Sequence, residues 1–98
     1  MRNYKKHLST VIDLFESFLA EKTDKTELIT GLTKIEKDLK QGKNTSKSLW
    51  LKFFTGDTGA TTVQDIYYGI GNPTNDKYYR ECMQLSIDNP KELKIYYS

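Results

Sequence analysis

The stretch "LSTVIDLFESFLAEKTDKTELITGLTKIEKDL", residues 8–39, decides the fold class. Leu8, Val11, Ile12, Phe15, Phe18 and Leu19 recur at helical spacing and lie along one face of a helix of about five turns. Tyr4 extends that stripe. Residues 21–26 are polar and interrupt it. Asp24, with Glu27 three places on, has the form of a capping box, so a second helix begins there. Leu28, Leu32, Ile35 and Leu39 carry its apolar face in a heptad-like rhythm. Lys37 and Lys40 complement the dipole in its last turns, and Gly42 suits its end. Two amphipathic helices on a short link predict an antiparallel hairpin.

Working outward, the chain keeps a helical pattern with weaker signals. In "NTSKSLWLKFFTG" (44–56), Leu49, Trp50, Phe53 and Phe54 suit a short helix capped by Thr45 or Ser46, while Leu49, Leu51 and Phe53 equally suit a strand. "GDTGATT" (56–62) reads as a loop. Thr62 and Asp65 open a further helix, with Val63, Ile66, Tyr67 and Ile70 on one face and Gly69 and Gly71 at its end. Thr74 or Asn75 caps the next helix, which runs to about Ile87 with Tyr78, Cys82 and Leu85 facing inward. Asn89-Pro90-Lys91-Glu92 starts a last helical turn or two, with a strand over Leu93–Tyr97 as its competitor. The expectation is one all-α domain over residues 1–98: a small bundle of five to six helices with an N-terminal hairpin and a possible C-terminal strand.

Composition narrows the class. The chain has 98 residues, 37% apolar and 29% charged, which is enough for one modest core. One cysteine, Cys82, excludes an internal disulfide and makes a reducing cytoplasm the default setting. With one histidine, His7, it cannot form a His/Cys zinc site. The N-terminal apolar stretch is cut by Asp13 and Glu16, as a signal peptide's is not, and nothing approaches the length of a membrane span.

Catalytic motifs do not survive inspection. "DTGA" (57–60) has the form of a retroviral-type aspartic protease motif, but Thr55-Gly56 precedes it where an apolar strand should. "YGIGNP" (68–73) has Gly-x-Gly without the third glycine, and Pro73 obstructs the helix that should follow. His7 has no triad partners, and Cys82 on an apolar face reads as a small hydrophobe. The reading is a non-enzyme with no cofactor and no metal.

Charge and tyrosine are unevenly placed. Residues 1–55 carry eleven Lys/Arg against seven Asp/Glu; residues 56–98 carry four against six. Lys34, Lys37, Lys40, Lys43, Lys47 and Lys52 form a basic run that could neutralise phosphates. A helix-turn-helix over 62–87 fits badly, because Tyr67 and Lys77, or Asp65 and Asn75, fall where small and apolar residues belong. Its second helix has only Lys77 and Arg80 as bases, against Asp76 and Glu81.

Six of the seven tyrosines lie in the last 32 residues. In the doublets Tyr67-Tyr68 and Tyr78-Tyr79, residues about 100° apart, one ring can face the core and the other its edge. Tyr68 and Tyr79 are expected to be partly exposed. With Asp65, Asp76, Glu81 and Asp88 they would form an acidic, phenolic surface suited to a basic protein partner.

"IDLFESFLAEKTDKTELITGLTKIEKDL", residues 12–39, resembles the N-terminal helical hairpin of colicin-D-type immunity proteins. The resemblance stops before residue 40 and carries over no site residue. It implies a small all-α cytoplasmic inhibitor whose partner is a tRNA-cleaving toxin domain. The sequence therefore leads to a protein-binding inhibitor, most specifically of a basic toxin nuclease. The alternatives are a nucleic-acid-binding regulator using the lysine run and a phage anti-defence inhibitor.

Overall fold

A computed structural model describes residues 4–40 and 63–90, with side chains from residue 7 to residue 38 in the first segment. It contains four helices there: α1 (Tyr4–Leu19), α2 (Lys25–Lys40), α3 (Val63–Gly69) and α4 (Asp76–Asp88). No strand occurs among the described residues. The helix expected over 45–56, the loop after it and the alternatives for 93–97 lie outside them.

The hairpin forms as its pattern predicts. Val11, Phe15 and Phe18 of α1 are buried against Leu28, Leu32 and Ile35 of α2. Asp24 caps α2, its Oδ1 accepting the Glu27 N–H at 2.8 Å. The end of α1 is closed by two bonds, Lys22 N–H to Ser17 O at 2.9 Å and Glu21 N–H to Phe18 O at 3.1 Å. That pairing is a Schellman turn, and it places Glu21 at φ 60°, where glycine is usual.

The shorter pair adds to the same core. Val63, Ile66 and Ile70 from α3 and its end, and Tyr79 and Met83 from α4, join the same buried cluster. Among the described residues, α1 packs on α2 and α4, and α3 packs on α2 and α4, around one core. Between α3 and α4 the chain turns at Gly71, whose φ of 91° favours a residue without a Cβ. Asn72 organises the turn. Its carbonyl accepts the N–H groups of Asn75 and Asp76, and its Oδ1 accepts that of Thr74.

The rotation of α4 differs from expectation. Tyr78, Cys82 and Leu85 were expected inward; the buried residues are Tyr79, Met83 and Ser86. Tyr78 and Cys82 are half-buried at the edge of the core, and Leu85 is 60% exposed. The cause is Gly69. A Cβ there would collide with the Tyr79 ring, so the ring occupies the space that any other residue would fill. Ser86 is tolerated inside because its hydroxyl donates to the Cys82 carbonyl at 2.8 Å.

Candidate functional site

On α3 the chain places Tyr68 outward. Helical phase puts Ile66 and Gly69 in the core and leaves Tyr68, 68% exposed, on the solvent side. Asp65, one turn earlier, is exposed on the same side of the helix. The Tyr68 ring stands edge-on to that of Tyr67, with centroids 5.6 Å apart and planes at 89°. Tyr67 is held in turn by Lys25 of α2, whose Nζ lies 4.2 Å from its ring centroid. The same ammonium donates to the Ile70 carbonyl at 3.2 Å, just past the end of α3, where a cation suits the helix dipole. One half-buried lysine thus braces the helix end and the aromatic pair together.

The expected acidic members on α4 take different roles. Tyr79 is a correction: it is 2% exposed and belongs to the core, because Gly69 opens a seat for its ring. Its ring meets that of Tyr78 at 5.9 Å, so within this doublet the outer tyrosine is Tyr78, which is itself half-buried. Asp76 is structural. Its Oδ1 accepts the Gly71 N–H at 3.0 Å, and its Oδ2 accepts Arg80 Nε–H at 2.9 Å. Partial burial pushes its carboxyl upward, but the bonds from Arg80 and Gly71 prevail and hold it below its ordinary 3.8. Glu81 is exposed and lies 3.9 Å from Lys77, a loose pair that leaves little net charge. Asp88 is exposed and accepts a bond from Gln84. Glu81, Leu85 and Asp88 share one outer stripe of the helix.

Burial pushes the Cys82 thiol up, Glu81 adds to this, and a hydrogen bond from Tyr78 opposes it. The thiol is thereby kept protonated, as a packing residue would be. Of the basic run, Lys34 and Lys37 are exposed on α2, beside exposed Asp38. The side chains of Lys40, Lys43, Lys47 and Lys52 lie outside the described residues.

Two cations that no sequence motif marks as partner groups are central here. Lys25 braces Tyr67, and Arg80 stacks on Phe18 with Cζ 4.9 Å from the ring centroid. Neither contact has a signal in local spacing, since Lys25 reaches 45 residues along the chain to Ile70. No protein-family model, no curated protein and no solved structure matches the chain.

Proposed function

We propose that this chain is a non-catalytic protein that acts by binding another protein, most specifically by blocking a basic nuclease domain in the manner of an immunity protein. The observation that carries this reading is Tyr68, an exposed ring held in place by Tyr67 and, through it, by Lys25. An exposed tyrosine has few rotatable bonds to immobilise on association and offers a large contact area. Asp65 beside it supplies the charge that suits a basic partner. The resemblance of residues 12–39 to the colicin-D-type immunity hairpin supports the same reading. An anti-defence inhibitor of another nucleic-acid enzyme would use the same surface.

The test is inhibition. The chain is used to capture a partner, and the partner's nuclease activity is measured with and without it. Inhibition that survives in Lys34→Glu/Lys37→Glu but drops at least about thirtyfold in affinity in Tyr68→Ala supports the reading. A captured partner without nucleic-acid chemistry overturns the nuclease version. Micromolar binding of tRNA or duplex DNA at physiological salt, lost in the lysine variant, would instead favour the nucleic-acid regulator.

A further inference from the structure

We draw no further inference here: the strongest candidate, the outer stripe of α4 on which Leu85 stands exposed beside half-buried Tyr78 and Cys82, is an apolar surface patch, and nothing among the described residues shows what covers it.

Discussion

The α1–α2 hairpin and the α3–α4 pair contribute to one core but are held by different kinds of contact. In the hairpin, Val11, Phe15 and Phe18 face Leu28, Leu32 and Ile35, and the stabilisation is spread over a repeating stripe. In the pair, single contacts decide the geometry: the Tyr79 ring on Gly69, Lys25 on the Ile70 carbonyl, Asp76 on the Gly71 N–H, and Arg80 on Phe18. The first region should tolerate exchange among apolar residues of like size. The second should react sharply to the loss or gain of a few particular atoms.

The largest expected effect is Tyr79→Ala, which empties a fully enclosed aromatic site and should cost roughly 3–5 kcal/mol in urea melts. A loss under about 1 kcal/mol would return Tyr79 to the surface and end the contrast. Leu32→Ala should cost roughly 2–5 kcal/mol, whereas Leu32→Met should stay below about 1.5 kcal/mol because the stripe can repack.

A sharper form of the comparison adds one methyl to a helical glycine in each region. At Gly69 it collides with the Tyr79 ring, so Gly69→Ala should cost roughly 1–3 kcal/mol. At Gly31 the nearest atoms are both methyls of Leu14, 2.7 Å from where its Cβ would stand, and its Cγ at 3.3 Å, all of one flexible side chain that is half-buried and can shift. The gain in helix propensity offsets that shift, so Gly31→Ala should fall within about 1 kcal/mol of the parent. Equal costs at the two glycines would erase the distinction.

Two smaller effects test the ends of the helices. Glu21→Gly relieves a left-handed backbone at the Schellman turn and should raise stability by up to about 1 kcal/mol. The smallest effect belongs to Asp76, since it and Arg80 are both partly solvated. Its carboxyl is held lower in the folded chain than in the unfolded one, so the unfolded chain binds its proton first as pH falls. The stability it contributes is therefore complete above 3.8 and is lost as pH drops through the depressed folded value. Urea midpoints of the parent and Asp76→Asn should differ at neutral pH and converge in that acid window.

The hairpin was legible in the residues because its information is local. Helical period, the Asp24 cap and the polar break at 21–26 all act within a few residues, and each appears where the spacing places it. The outward placement of Tyr68 was legible for the same reason: Ile66 and Ile70 phase their helix firmly. For α4 two phases competed. Tyr78, Cys82 and Leu85 form one helical stripe, and Tyr79, Met83 and Ser86 form another. Apolarity alone favours the first, since it contains Leu85 where the second contains Ser86. Tertiary packing chose the second, because Gly69 leaves a ring-sized space opposite Tyr79 and Phe18 offers Arg80 a face to stack on. Likewise the sequence showed Asp76 and Arg80 as charges four residues apart, but not that Asp76 also anchors the Gly71 turn. Period and caps are properties of neighbouring residues and can be read from the chain itself. Which face a short helix buries depends on a cavity made by residues from elsewhere, and only the assembled core decides that.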